Sequence, residues 1–300
     1  MPETGADFAP ASQLLTFEQI LRFVSVAETL GITQIRITGG EPLLRPRLAE
    51  LVEALAANKK LKDVALTTNG VLLAKHARTL YNAGLRRLNI HIDSLDRARF
   101  QQITRRDDLS LVLNGIETAL SIGYPSVKLN AVAIRGLTEP DVIPLARFAR
   151  ERDIEIRYIE FMPLDSQNLW SRDQVLVADE IVEMISAEFG PLIPIPDSDP
   201  RAPATEYQFA DGRGRVGFIA SVSRPFCLNC NRLRLTSEGK LRYCLFAKEE
   251  TDVKPYLQGP GSEAELADQI RATVWRKWRG HEINSPYFVA PQRPMYSIGG

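Results

Sequence analysis

Cys227, Cys230 and Cys244 are the only cysteines in 300 residues, and they form one short pattern, C-x2-C-x13-C. A two-residue gap lets two thiolates turn onto one metal centre, and a third can close from a neighbouring turn. An odd number so tightly grouped makes a poor disulfide framework and suits a reducing compartment. A structural zinc site wants four ligands, yet His76, His91 and His281 are distant in sequence. Three thiolates without an evident fourth suit a [4Fe-4S] cluster with one iron left open, although clusters more often take four cysteines. A substrate nitrogen or oxygen could occupy that iron. Spacing alone leaves three readings open: iron–sulfur, zinc completed by a histidine or carboxylate, and reduced, half-buried cysteines.

Arg232, Arg234 and Arg242 stand beside these cysteines. A guanidinium fork pairs with phosphate oxygens two at a time, so three arginines near a metal site point to an anionic ligand; the plainer reading is a charged surface hairpin. A second set of polar residues recurs further upstream: Thr38-Gly39-Gly40-Glu41, Thr67-Thr68-Asn69-Gly70, Asp93-Ser94, Asn130 and Glu160-Phe161-Met162.

The elements that must position these groups alternate with little waste. Thr16 caps a helix running to about Leu30, with Gln19 completing a capping box and Gly31 closing it. Strand 34–38, helix 47–59, strand 64–68, helix 72–83 and strand 87–92 follow. Two helical stretches lead to strand 127–133, a helix over 139–152 and strand 155–161. Strands separated by helices of this length read as βα units on a parallel sheet, with both faces of each strand covered. Each of these polar groups is then expected at a strand's carboxyl end, where parallel α/β folds bind ligands. The chain opens on a helix with no strand before it, which leaves strand 34–38 an exposed edge.

The rhythm changes after Phe161. A helix over 178–188 precedes a proline-rich extended stretch from Gly190 to Pro203, then antiparallel candidates at 205–209 and 216–221, the cysteine segment, and a helix over 263–279. The fold class expected is α/β: an incomplete (β/α)6 TIM-type barrel over 1–189, and a smaller α+β cluster-binding domain over 190–300.

Composition bounds the function. Apolar residues at 44% with 25% charged are ordinary for a folded soluble chain. Equal numbers of basic and acidic residues give zero formal charge, against general affinity for nucleic acid or anionic membrane. No apolar run is long enough to span a bilayer, and a cytoplasmic location is expected.

Several of these motifs carry a resemblance. Arg36-Ile37-Thr38-Gly39-Gly40-Glu41-Pro42 looks like the GGEP strand end of radical S-adenosylmethionine enzymes. Together with Leu66-Thr67-Thr68-Asn69-Gly70, Phe226-Cys227-Leu228-Asn229-Cys230-Asn231-Arg232-Leu233-Arg234 and the terminal Ile298-Gly299-Gly300, it closely resembles the GTP 3′,8-cyclase (molybdenum cofactor biosynthesis protein A) family. The resemblance implies that a 5′-deoxyadenosyl radical takes hydrogen from ribose C3′ of GTP and that the carbon radical attacks guanine C8. Arg36, Thr67, Lys128, Arg232 and Arg234 then resemble GTP-binding residues; Gly40, His91 and Met162 resemble S-adenosylmethionine contacts. Cys227, Cys230 and Cys244 resemble ligands of a second [4Fe-4S] cluster whose open iron meets the guanine, and Gly299-Gly300 resembles a tail that reaches back into the site. The implied partners are GTP, a second copy in a homodimer, a reductant and a downstream cyclic pyranopterin monophosphate synthase.

Two departures stand out. His91 replaces a serine frequent in the family. No C-x3-C-x2-C motif, the family's holder of the cluster that cleaves S-adenosylmethionine, occurs in the sequence; Met1-Pro2-Glu3 resembles the residues just after it. The expectation is a fragment of an active enzyme with a misassigned start, to be checked in the upstream codons. The alternatives are a non-catalytic GTP-binding paralogue, a peptide-modifying radical enzyme and a structural zinc protein.

Overall fold

The computed structural model describes residues 10–164, 170–196, 199, 201–259, 262–277, 281–291, 293 and 295–298. Helix α1 (Phe17–Thr29) begins as the sequence demands: the Thr16 hydroxyl accepts the Gln19 N–H, and the Gln19 side chain takes the Thr16 N–H at 2.9 Å. This satisfies amide groups that a helix start leaves bare. Then follow β1 (Gln34–Ile37), α2 (Leu48–Ala57), β2 (Asp63–Thr68), α3 (Leu73–Asn82) and β3 (Arg87–His91). Next are α4 (Arg97–Thr104), α5 (Leu109–Ile122), β4 (Ser126–Ala133), α6 (Val142–Glu151), β5 (Glu155–Glu160) and α7 (Ala178–Phe189).

Strands β6 (Ile193–Pro194), β7 (Thr205–Gln208) and β8 (Arg215–Ile219) complete an eight-stranded sheet in the order β1-β2-β3-β4-β5-β8-β7-β6. The first six in that order are parallel, whereas β7 and β6 are antiparallel. The hairpin expected at 205–221 is present, but β8 also pairs with β5, so the main sheet continues past residue 190. Pro194 lies in the terminal strand, where its missing N–H leaves no internal pair unmade. Among the described residues β1 pairs with β2 alone; it is the edge that the sequence anticipates. Strand order does not close into a ring among these residues, so the supported architecture is a mixed α/β fold around a largely parallel sheet.

Both faces of the central strands are covered, as Asn89, Glu155 and Arg157 show by their burial, but only one face is apolar. In β4, Val127, Leu129, Ala131 and Ala133 are buried, while Ser126, Lys128, Asn130 and Val132 lie between them less covered. Side chains alternate across a strand, so a lysine and an asparagine at every second position cannot share the apolar layer. One face joins Leu66, Leu88, Ile90, Leu129 and Ile156 to the helices in the main core. Register aligns Arg36, Thr67, Arg87, Asn89, His91, Lys128, Asn130, Glu155 and Arg157 on the other. Gly70 (φ +80°) and Gly115 allow α5 to seat against the turn after β2, since a Cβ on Gly115 would lie 2.7 Å from the Gly70 carbonyl.

A second sheet, β9 (Arg234–Leu235), β10 (Lys240–Arg242) and β11 (Thr251–Asp252), carries the segment after Cys230. Helix α8 (Glu263–Trp275) and the short α9 (Met295–Ile298) follow. A small separate core of Leu164, Val175, Val222, Phe246 and Ile283 lies here, with Met162 and Cys244 packed against it. No helix among the described residues is long and apolar enough to cross a membrane.

Candidate functional site

The carboxyl ends of β1 and β2 are tied together by Glu41. Its carboxylate accepts the Leu43 N–H at 3.0 Å, the Thr68 hydroxyl at 2.8 Å and the Asn69 N–H at 2.8 Å. Gly39 reaches this position with φ +147°, a conformation open to glycine. Gly40 is exposed beside it. The loop after β1 is therefore a fixed platform whose acidic group already has partners.

Beneath that platform lies an unusual concentration of cations. Arg36 is lowered to about 10 by burial, then by the neighbouring Arg157, Arg87 and Arg232, with Asp63 as a smaller opposing influence. Its outer atoms remain exposed to water, so the crowding of positive charge is the firmer cause. Arg234 is likewise lowered to about 10, by burial and then by Arg232, while Cys244 and Cys230 oppose and Arg36 adds to the fall. Its Nε is buried without a hydrogen-bond partner, as are Thr67 Oγ1 and Asn130 Oδ1. Buried polar atoms left unpaired are uncommon and costly. Arg36, Arg232 and Arg234 gather without a carboxylate ion pair among the described residues, and an anion bound there would relieve both the repulsion and the missing bonds.

Lys128 sits in a different electrostatic setting. It forms an ion pair with Glu155 and a longer one, 3.5 Å, with Glu206. Arg157 pairs with the same two carboxylates, at 2.8 Å to Glu206. Burial and then Arg157 lower Lys128, with Glu155 opposing. The network fixes the floor of the polar face. Arg157, Glu155 and Glu206 were not anticipated, although Glu155-Ile156-Arg157 shows the same two-residue alternation as β4.

The three thiols are half-buried and unpaired by disulfide. Burial raises Cys227, and the proximity of Cys244 and Cys230 raises it further. Burial would raise Cys230 as well, but Arg232 overcomes it, with a lesser contribution from Lys277, and brings the thiol to about 7. Arg232 donates from Nε to the Cys230 sulfur at 3.3 Å and lies 4.9 Å over the Phe226 ring. Lys277 donates to the carbonyls of Arg232 and Tyr243, at 2.8 and 3.2 Å. Among the described residues no three His, Cys, Asp or Glu side chains converge tightly enough to enclose a single ion. The thiols are nonetheless close enough to influence one another's charge, and a multi-iron cluster spans more space than one ion. The chemistry and mutual proximity of these donors fit such a group.

Of the other expected residues, Arg242 belongs elsewhere. It is 2% exposed and spends its fork on Glu250 at 2.6 Å and on the carbonyls of Leu245 and Ala247, so it braces the loop after Cys244 and is not free for an anion. His91 pairs through Nε2 with Asp93 at 2.8 Å, and Asp93 also accepts the Val132 N–H. Asp93 raises the imidazole against an opposing effect of burial. The ring lies among strand ends yet 41% of the side chain meets solvent, so the close carboxylate decides the direction. Met162 packs against the second core. Gly299-Gly300 and Met1-Pro2-Glu3 lie outside the described residues.

Sequence reasoning missed Lys277, and it placed Glu160 at a strand end without its partners. Glu160 is 1% exposed and accepts the N–H groups of Ala178, Val222 and Ser223 and the Ser223 hydroxyl. Both residues act across long sequence separations, which local spacing does not reveal.

Comparison with known proteins bears on the same two regions. Residues 4–149 match the Radical SAM superfamily, and residues 154–283 match Molybdenum Cofactor Synthesis C. A GTP 3′,8-cyclase of Rhodopirellula baltica is 44% identical over 303 residues, covering 100% of this chain and 84% of that protein. The GTP 3′,8-cyclase 2 of Mycobacterium tuberculosis is 44% identical over 305 residues, with the same coverage. Among solved structures, SuiB of Streptococcus suis shares the fold with a TM-score of 0.59 at 12% identity, covering 93% of this chain and 70% of that one.

Proposed function

The chain belongs to the GTP 3′,8-cyclase family of the radical SAM superfamily, and from that premise we propose that it is an enzyme of molybdenum cofactor biosynthesis. Its reaction is the radical-mediated cyclisation of GTP to (8S)-3′,8-cyclo-7,8-dihydroguanosine 5′-triphosphate. The family implies a [4Fe-4S] cluster and S-adenosylmethionine as cofactors.

The observation that carries the reading is the cationic recess of Arg36, Arg232 and Arg234 beside three neighbouring thiols. A triphosphate is the ligand such a recess suits: several anionic oxygens, each able to take a charge-assisted bond. Arg36, Arg232 and Arg234 bind it, Lys128 borders it, and the buried Thr67 hydroxyl supplies one further directional contact. The sequential strand order is consistent with a barrel-type sheet whose polar face is the lumen, with the segment beyond β8 forming its cluster-binding cover.

Cys227, Cys230 and Cys244 would hold the second [4Fe-4S] cluster. When bound, it supplies an iron with a free coordination position for a purine heteroatom. Gly40, His91 and Met162 border the S-adenosylmethionine side, where Glu41 fixes the loop. Cys227, Cys230 and Cys244 are the only cysteines of the sequence, so once they hold that cluster no thiolate of these 300 residues remains for the family's other cluster, the one that cleaves S-adenosylmethionine.

Anaerobic reconstitution followed by metal, sulfide and nucleotide-binding measurements tests this. Iron and acid-labile sulfide in equal amounts, with GTP binding that Arg234→Ala weakens while S-adenosylmethionine binding persists, is the expected result. Zinc without sulfide, or equal loss of both ligands, overturns it.

A further inference from the structure

Cys230 and Cys244 lie on separate arms of one hairpin-like segment. The first arm continues from Cys230 into β9, and the second leaves β10 just before Cys244. The paired strands between them are two and three residues long and offer few backbone bonds to fix the arms' spacing. Lys277, two residues beyond α8, reaches both. Its ammonium donates at 2.8 Å to the carbonyl of Arg232, two residues after Cys230, and at 3.2 Å to that of Tyr243, immediately before Cys244. Among the described residues it makes no ion pair with a carboxylate. Its charge therefore remains uncompensated by an acidic group, and it is felt at the Cys230 sulfur.

We propose that Lys277 is a positioning residue of the thiolate cradle: one ammonium that sets the separation of the two cysteine-bearing arms and supplies a fixed positive charge to the cluster they hold. The inference rests on the cysteines binding an iron–sulfur cluster. The two functions of the side chain follow from its chemistry. An ammonium has three donors and can bridge two carbonyls at once, which neither a neutral aliphatic chain nor a single amide can do as well. Cluster potentials depend on net charge and hydrogen bonding around the sulfurs, so a nearby cation favours the reduced state. Arg232 already donates directly to Cys230, but Arg232 also belongs to the nucleotide recess. Lys277 faces carbonyls instead, which makes its contribution independent of whether nucleotide is bound.

Three variants separate tether from charge. Lys277→Met removes both, Lys277→Gln keeps a donor without charge, and Lys277→Arg keeps charge and several donors. Each is reconstituted anaerobically as the full chain, challenged with an iron chelator, and titrated electrochemically while its spectrum is followed. With only three cysteines in the chain, the spectrum reports one cluster. Lys277→Met should lose iron more readily, on the order of 10-fold, as for other groups that orient metal ligands. Lys277→Gln should retain the cluster better than Met yet show a more negative potential, and Lys277→Arg should restore the wild-type potential. Wild-type retention and potential in both Met and Gln variants would overturn the proposal. Should the Met variant fail to fold, the Gln–Arg difference in potential still decides, because a purely structural lysine predicts none. If the wild-type chain itself binds no iron and sulfide, the cluster reading fails rather than the role of Lys277.

Discussion

On the sheet's polar face, Arg36, Thr67, Asn89 and Lys128 keep their places because neighbouring strands hold them in register. In the segment around Cys227 and Cys244, strands are two or three residues long, and position comes from single side chains reaching in from far away. Lys277 holds the arms, Glu160 holds Val222 and Ser223 ahead of the first cysteine, and His281 donates from Nε2 to the Ser221 carbonyl at 2.9 Å. The first region distributes its order over many backbone bonds, so losing one side chain alters chemistry and leaves shape intact. The second concentrates order in a few charged contacts, so losing one alters shape as well. A site assembled from both can present fixed cations to a ligand while the placement of its cysteines depends on a handful of residues.

The largest effects should separate the two regions. Cys244→Ala is expected to abolish iron and sulfide binding altogether, with the far-ultraviolet circular dichroism unchanged because the parallel sheet does not depend on it. Loss of helical and sheet signal in step with iron would mean that the two regions fold as one. Glu160→Gln comes next. An amide cannot accept from donors on both oxygens, and the loss of charged hydrogen bonds should cost about 2–3 kcal/mol, read as a lowered denaturation midpoint together with poorer cluster retention. Unchanged stability would show that the carboxylate is not an anchor. Arg234→Ala acts on the nucleotide side: removing one charge-assisted contact should weaken GTP binding on the order of 10- to 100-fold. Cluster content should hold, and a parallel loss of iron would blur the distinction.

The same contrast explains what could be read in advance. The helices and the five strands through Glu160 follow from apolar spacing and caps, as the Thr16–Gln19 box illustrates. The polar strand ends follow too, because Thr67 and His91 interrupt apolar runs at the ends facing the site; Asn130, expected at such an end, lies in the middle of β4. The alternation Ser-Val-Lys-Leu-Asn-Ala in β4 holds a further signal, one polar sheet face, which coverage of both faces does not reveal. Pairing of β8 with β5 was not legible, since parallel neighbours as far apart as Glu155 and Arg215 leave no mark in local pattern. Arg242 could not be told from Arg234 by type or spacing; Glu250 and two carbonyls make the difference. Lys277 and the partners of Glu160 escaped for the same reason.

The smallest expected effect concerns His91, at the end of β3 on the polar face. Asp93 raises the imidazole above its ordinary 6.5, so the charged form is favoured in the folded protein. The sign follows: this pairing contributes its full stabilisation below 6.5, and the contribution fades as pH rises through the higher folded value. Because 41% of the side chain meets solvent, screening keeps the effect small. His91→Asn keeps a donor without the titration. The melting temperature of the wild type should therefore exceed that of the variant most in mild acid, with the gap narrowing towards alkaline pH. A gap that stays constant across the range would assign the His91–Asp93 contact to shape alone. Asp93 also receives the Val132 N–H, so the carboxylate remains seated in the variant and the comparison isolates the imidazole.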